Sequence, residues 1–287
     1  MLIKEKVKHF VSFLIHGEPD RVIANITTLA PSDLLKDRWA IITGGSSGIG
    51  YSIAKSFIDA GAFVIITGRN MDKLNKAKKS LGSCEKVYPF VLDNTKIESL
   101  PSTFENMVTC AEKGGGKISI LVNNAGIGGA TLPNATEEDY DNVMNTNLKG
   151  VFFISQMVGK YMKVNGIKGN ILNVASSSSL RPANSAYAIS KWGVRGFTLG
   201  LAKSLAPYGI TVNGVAPGPT ATPMMGRSSN DNLIKKELPL GRYILPEEIA
   251  NVAVFLVSDM GRAIIGDMIY ISGGAGVIKY DDMPYGF

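Results

Sequence analysis

From Trp39 onward, short runs rich in β-branched residues alternate with segments long enough to be helices. The runs fall at 40–43, 63–67, 87–92, 118–122, 170–174, 211–215 and 268–271. The early ones are almost continuously apolar, as in strands buried on both faces. Strand followed by helix, repeated, builds right-handed crossovers and a parallel sheet covered on both sides. The expected fold is therefore α/β, a single Rossmann-type doubly wound parallel sheet of about seven strands over residues 39–275. Ligands of such sheets bind beyond the carboxyl ends of the strands, so the residues just after each run matter most.

Composition narrows the functional classes. A chain of 287 residues that is 45% hydrophobic can bury a large core, which excludes a disordered chain. Two cysteines exclude a disulfide scaffold, and Cys84 and Cys110 have no CxxC spacing. No His/Cys/Asp cluster has ligand spacing, so no metal is expected, and a reducing, cytoplasmic setting is. No apolar run nears the ~18 residues of a membrane span. Both histidines, His9 and His16, precede the alternating region. A Ser-His-Asp hydrolase built on the main body is all but excluded, because it would lack its imidazole base. The 30 Lys+Arg against 24 Asp+Glu give a net charge of +6. No interleaved aromatic and basic motif accompanies that charge, so nucleic acid is not an expected partner.

Residues 1–38 read as an N-terminal extension. Ile3, Val7, Phe10 and Leu14 recur at helical spacing with Lys4, Lys6 and Lys8 between them, as in an amphipathic helix. Its apolar part is short and no small-residue cleavage site follows, so it does not read as a signal peptide. Its expected place is against the body or a neighbouring subunit, with a membrane surface as the alternative. Pro19 and Pro31 interrupt any continuous helix. Residues 276–287 form a C-terminal tail.

After the first run comes Thr43-Gly44-Gly45-Ser46-Ser47-Gly48-Ile49-Gly50, then a helix starting near Tyr51. Glycines allow a tight turn and close backbone approach, and a helix N-terminus favours a phosphate. The spacing Gly-x-x-x-Gly-x-Gly is wider than the usual dinucleotide fingerprint. It resembles the short-chain dehydrogenase/reductase family, whose loop reads T-G-x-x-x-G-x-G. Three more stretches agree in order and spacing: Asn123-Asn124-Ala125-Gly126, Tyr187-Ala188-Ile189-Ser190-Lys191 and Pro217-Gly218. The resemblance covers roughly residues 38–275.

Tyr187 and Lys191 are four residues apart, on one face of a helix. A free tyrosine titrates near ~10. The neighbouring ammonium and an oxidised nicotinamide are expected to lower that value. The resemblance implies that Tyr187 donates a proton to a carbonyl oxygen in reduction and removes it in oxidation. Lys191 then also holds the nicotinamide ribose. The family's serine usually stands thirteen residues before the tyrosine, but Val174 occupies that position here. Reading instead from Asn173-Val174-Ala175-Ser176 selects Ser176, with Ser178 as the runner-up and a loop two residues shorter than usual. The serine would orient the substrate oxygen and stabilise its developing charge. Asn147, three residues before Gly150, matches the family's asparagine that links the lysine to solvent, with Asn145 as a competitor.

The remaining implied contacts concern the cofactor. Gly44, Ser46, Ser47, Gly48, Ile49 and Gly50 would cradle the phosphates. Gly68 stands where an acid favouring NAD(H) would close the second strand, and Arg69 could pair with the 2′-phosphate of NADP(H). NADP(H) is thus preferred, with NAD(H) possible, because Ser47 replaces a second basic residue seen in many relatives. The lysines that follow, Lys73, Lys76, Lys78 and Lys79, read mostly as a solvated helix face. Asp93 matches the residue that contacts adenine. Asn124, Ala125 and Gly126 would face the adenosine ribose, and Pro217, Gly218, Thr220 and Thr222 lead to the nicotinamide end. The substrate region is expected at 220–243. There Met224, Met225 and Leu233 suit an apolar lid, while Arg227, Lys235, Lys236 and Arg242 suit an acidic substrate instead. The resemblance further implies a homo-oligomer, tetramer or dimer, built on the tyrosine-bearing helix and the one before it. The alternative to an oxidoreductase is a catalytically silent dinucleotide-binding regulator of the same fold.

Overall fold

The computed structural model describes residues 31–82, 84–228 and 231–279. The expected amphipathic helix and the end of the C-terminal tail lie outside these residues. Seven parallel strands form one sheet: β1 (Trp39–Thr43), β2 (Phe63–Gly68), β3 (Val87–Val91), β4 (Ile118–Asn123), β5 (Asn170–Val174), β6 (Thr211–Pro217) and β7 (Met268–Ile271). Their order is β3-β2-β1-β4-β5-β6-β7. This is the doubly wound parallel sheet expected from the alternation. β6 runs two residues past its apolar stretch, because Ala216 and Pro217 pair with Tyr270 and Ile271 of β7.

Helices cover both faces. α1 (Gly48–Asp59), α2 (Met71–Leu81) and a helix near the C-terminus, Pro246–Val257, pack on one side. α3 (Leu100–Lys113) and two longer helices, Gly150–Val164 and Ala186–Leu205, pack on the other. In chain order a short helix Glu137–Met144 is α4, and the three just named are α5 (Gly150–Val164), α6 (Ala186–Leu205) and α7 (Pro246–Val257). The pleat of β1 sorts its side chains between the two layers. Ala40 and Ile42 join one core cluster with Ile53, Phe57 and Ile249, whereas Trp39 and Ile41 join another with Met107, Ile154 and Leu205. Each large side chain buried in this way contributes roughly 1.5–3 kcal/mol, so stability resides in the layers and the loops are free for chemistry.

Two polar clusters pin the strands beneath the site. Arg38 donates from Nη1 to the Val257 carbonyl at 2.5 Å. Its Nη2 donates to Asn170 Oδ1 at 2.7 Å and to the Ser119 carbonyl at 3.1 Å. One side chain thus ties the start of β1 to β4, β5 and the end of α7. Burial pushes its guanidinium down to about 10. At the other end of the strands, Asn123 Nδ2 donates to Asn173 Oδ1 at 2.8 Å and to Ser155 Oγ at 2.7 Å. Asn173 Nδ2 donates in turn to Thr198 Oγ1 at 2.9 Å, joining β4 and β5 to α5 and α6. The residues just before β1 also pack on the body: Leu35 is fully buried and its N–H donates to the Ala60 carbonyl at 2.8 Å. The strand order reverses between β1 and β4, where a cavity of about 420 Å³ opens over the carboxyl ends of the strands.

Candidate active site

The loop from β1 into α1 forms the floor of this cavity. Ser47 stands at the N-cap of α1, yet its side chain makes no capping hydrogen bond. Asn70, Thr136 and Ser185 do cap α2, α4 and α6. α1 therefore turns uncapped N–H groups and its positive dipole end toward the cavity, which suits a phosphate. Gly48 has φ +54, and a β-carbon there would meet Thr222 Cγ2 at 3.4 Å, so the loop passes close under the segment after β6. Asn124 fixes the loop from the side: its Nδ2 donates to the Thr43 and Gly44 carbonyls at 2.9 and 3.2 Å. Its amide thus holds the loop, while Ala125 and Gly126 continue along the cavity wall.

At the β2 end, Gly68, Arg69, Asn70 and Lys73 line the cavity, with no acid closing the strand. A β-carbon at Gly68 would make ordinary contacts with Leu74 Cδ2 at 3.6 Å and Ser46 Oγ at 3.7 Å. Asp93, after β3, accepts from the Thr95 N–H and hydroxyl at 3.0 and 2.8 Å. Burial pushes its carboxyl up, but these bonds and the charges of Arg69 and Lys96 bring it below its ordinary value.

At the opposite end lie Tyr187, Lys191 and Ser176. Ser185 caps α6 by accepting from the Ala188 N–H at 3.2 Å, which places half-buried Tyr187 on the first turn with Lys191 one turn on. Lys191 is 5% exposed; its Nζ donates to the Val174 carbonyl at 2.9 Å and lies 5.6 Å from the Tyr187 ring centre. Ser176 Oγ is within hydrogen-bonding reach of the Tyr187 phenol. Burial pushes that phenol up, and Ser176 pulls it back only in part. The expected lowering of Tyr187 by Lys191 is therefore not present in the protein alone, since the ammonium is directed at Val174 rather than at the phenol oxygen. Burial also brings Lys191 down to about 8.

Asn147 does not reach the cavity wall. It is buried in a π-helical turn, Asn145–Lys149, between α4 and α5. Its Oδ1 accepts from the Ile127 N–H and its Nδ2 donates to the Ile127 carbonyl, both at 2.9 Å. Gly126 separates it from the cavity: a β-carbon there would lie 3.3 Å from Asn147 Oδ1 and 3.6 Å from Lys191 Nζ. Gly50 is also behind the wall, since a β-carbon there would meet Asn124 Nδ2 and the Gly44 carbonyl. The other expected site residues, from Gly44 to Thr222, line the one cavity. Sequence reasoning missed Leu92, Asn94, Ile127 and Thr146, which line it too. Each neighbours a residue already singled out, and the first three follow strand ends.

The mouth is formed by the excursion between β6 and α7. Met224 and Met225 line the cavity and are largely exposed, while Leu233 does not reach it. Arg242 is not free for a substrate. It holds Glu248 through two 2.8 Å bonds, and this pairing brings the Glu248 carboxyl down to about 2. Arg227 and Lys235 both lie over the Tyr243 ring, at 5.7 and 5.5 Å. Met224 and Met225 thus give the cavity an apolar part of its lining, while Arg227, Lys235 and Arg242 contact residues of the excursion and α7. Among the described residues, no group of three His, Cys, Asp or Glu could hold a metal ion, and no helix is long and apolar enough to cross a membrane.

The sequence family described as short chain dehydrogenase matches residues 38–233. The chain belongs to the short-chain dehydrogenases. It is 41% identical to a 3-oxoacyl-[acyl-carrier-protein] reductase FabG of Thermotoga maritima over 249 residues, 84% of this chain and 98% of that protein. It is 37% identical to a 3alpha-hydroxysteroid dehydrogenase of Mediterraneibacter gnavus over 250 residues, again 84% and 98% of the two chains. The fold superposes on a 3-ketoacyl-(acyl-carrier-protein) reductase from Brucella melitensis complexed with NADH with a TM-score of 0.76, at 29% identity, covering 85% of this chain and all of that one. As a short-chain dehydrogenase it is an NAD(P)-dependent oxidoreductase that interconverts carbonyl and alcohol groups. The silent-regulator alternative has no support from these relatives.

Proposed function

We propose that this short-chain dehydrogenase is an NADP(H)-preferring reductase of an uncharged ketone, with Tyr187 as its general acid and base. The observation that carries the reading is the convergence of Tyr187, Lys191 and Ser176 at one end of a cavity whose other end offers Arg69 and no carboxylate at Gly68. The dinucleotide fits what is present: uncapped N–H groups at α1, glycines where side chains would fill the cradle, and a basic rim at Arg69 and Lys73. When bound, its nicotinamide supplies or accepts the hydride. Ser176 orients the substrate oxygen beside Tyr187. A phenol raised by burial is protonated at neutral pH, the form that donates to a carbonyl oxygen becoming an alkoxide. Lys191 then stabilises the phenolate through space, and Asn147 fixes the Ile127 backbone beside it. Gly218, Thr220 and Thr222 would hold the nicotinamide half, and Ser46, Ser47, Asp93 and Gly126 the adenosine half.

Met224, Met225 and Ile127 favour an apolar acyl or alicyclic ketone over an acidic one. The reading extends to a homo-oligomer. Phe152, Ile189, Trp192 and Leu199 leave an apolar surface on α5 and α6, with the Phe152 and Phe197 rings 5.1 Å apart.

The test is NADPH consumption by the purified chain against β-keto thioesters, β-keto esters, ketosteroids and keto-acids, followed by Arg69→Gln on the best ketone. The variant should raise KM for NADPH about ten-fold and leave KM for NADH within about two-fold. No turnover with any ketone would overturn the reaction. A wild-type preference for NADH would overturn the cofactor assignment alone.

A further inference from the structure

The residues after β7 fold into a tight turn, 272–279, that touches both parts of the substrate end. Within it the Ala275 N–H donates to the Ser272 carbonyl at 3.1 Å, and the Val277 and Ile278 N–H groups to the Gly274 carbonyl at 3.1 and 3.0 Å. Gly276 N–H donates to the Lys279 carbonyl at 2.8 Å, and Ala275 is fully buried. On one side the turn grips the excursion between β6 and α7. Leu240 N–H donates to the Gly273 carbonyl at 3.0 Å, and Gly274 packs on Pro239, 2.9 Å from where its β-carbon would be.

On the other side it meets the loop that carries Ser176. A β-carbon at Gly276, whose φ is +70, would lie 2.7 Å from Arg181 Nε and 3.0 Å from the Ser177 carbonyl oxygen. Arg181 is 4% exposed, and its carbonyl accepts from Trp192 Nε1 at 2.8 Å, next to Lys191 on α6. Arg195 Nη1, also on α6, donates to the Ser179 carbonyl at 3.2 Å. The short 3₁₀ turn Ser177–Leu180 is thus clamped between α6 and the turn at 272–279. Ser176 enters it as N-cap, accepting from the Ser178 N–H at 3.1 Å, so a shift of this turn moves Ser176 Oγ against Tyr187. An error near 1 Å in a group that orients substrate can cost on the order of 100-fold in rate.

We propose that Arg181 and Gly276 are positioning residues: the turn 272–279 sets Ser176 against Tyr187 through them and couples that setting to the excursion at the cavity mouth. This rests on the reading of Ser176 as the residue that orients the substrate oxygen. The experiment measures Gly276→Val and Arg181→Lys in the full chain, each with Ser176 intact and with Ser176→Ala. The readouts are kcat and KM for the best ketone of the panel, Kd for NADPH by fluorescence, and far-UV circular dichroism for the fold. With Ser176 intact, kcat should fall roughly ten-fold while Kd for NADPH stays within about two-fold. On the Ser176→Ala background the same substitutions should lower kcat by less than about two-fold, because the group they position is gone. Equal losses on both backgrounds, or unchanged kcat in a folded Arg181→Lys enzyme, would overturn the proposal. Full turnover by Ser176→Ala alone is a different failure, since it removes the role of the serine and this inference with it.

Discussion

Tyr187 and Lys191 share one face of α6, and burial drives each toward its uncharged form. For Lys191 this has a sign that stability measurements can read. Unfolded, its ammonium persists to about 10.5; folded, it is lost from about 8 upward. Between these values the unfolded chain binds more protons, so this group's contribution to stability rises with pH across that window. Below pH 8 its full cost, roughly 3 kcal/mol, is present. Denaturant unfolding of the wild type and Lys191→Met without cofactor should show the stability difference moving in favour of the wild type between pH 8 and 10.5. Parallel curves across that window would contradict the burial of a charged Lys191. Tyr187 is common to both proteins and cancels. Much of this residue scale was legible in advance, because the four-residue spacing fixes Tyr187 and Lys191 on one face whatever surrounds the helix. The direction in which the phenol shifts was not, because it depends on burial and on where Nζ points. The same holds for Arg242: its charge was visible, but its pairing with Glu248 required the three-dimensional contact.

Among the elements, those buried on both faces were the most readable. β1 and β2 carry unbroken four-residue apolar stretches, Trp39–Ile42 and Phe63–Ile66, as expected of strands covered on both faces. The 219–244 excursion has no period of either kind, so its 3₁₀ turn and isolated bridges left no pattern to find. The π-helical turn at Asn147 was equally silent, since it differs from an α-helix only in hydrogen-bond register. Arg38 shows how much an unremarkable position can hold. Its guanidinium satisfies acceptors on β4, β5 and α7 at the end of the sheet opposite the cavity. Arg38→Met should strand those acceptors and cost about 2–4 kcal/mol. Chemical denaturation would show this as a lower midpoint with an unchanged slope, whereas a midpoint equal to the wild type would show that the cluster adds little.

The described residues combine one sheet, covered by helices on both faces, with two exposed surfaces, the cavity mouth and the apolar residues of α5 and α6. If those apolar residues join copies of the chain, Phe152→Glu should lower the mass in solution measured by light scattering, with circular dichroism unchanged. A mass equal to that of the wild type would place any interface elsewhere. The fold itself and the location of the cavity were legible from strand alternation and four short motifs, because a parallel sheet puts every strand end on one side. The identity of the substrate was not, because the excursion at the mouth has no regular pattern. The proposed reaction centres on the Tyr187 hydroxyl. Turnover of the best ketone by Tyr187→Phe, with NADPH binding followed by fluorescence, tests it most directly. The phenol's loss should reduce kcat by at least ~100-fold while Kd for NADPH stays within about two-fold. A Tyr187→Phe enzyme that binds NADPH and turns over at the wild-type rate would contradict the account.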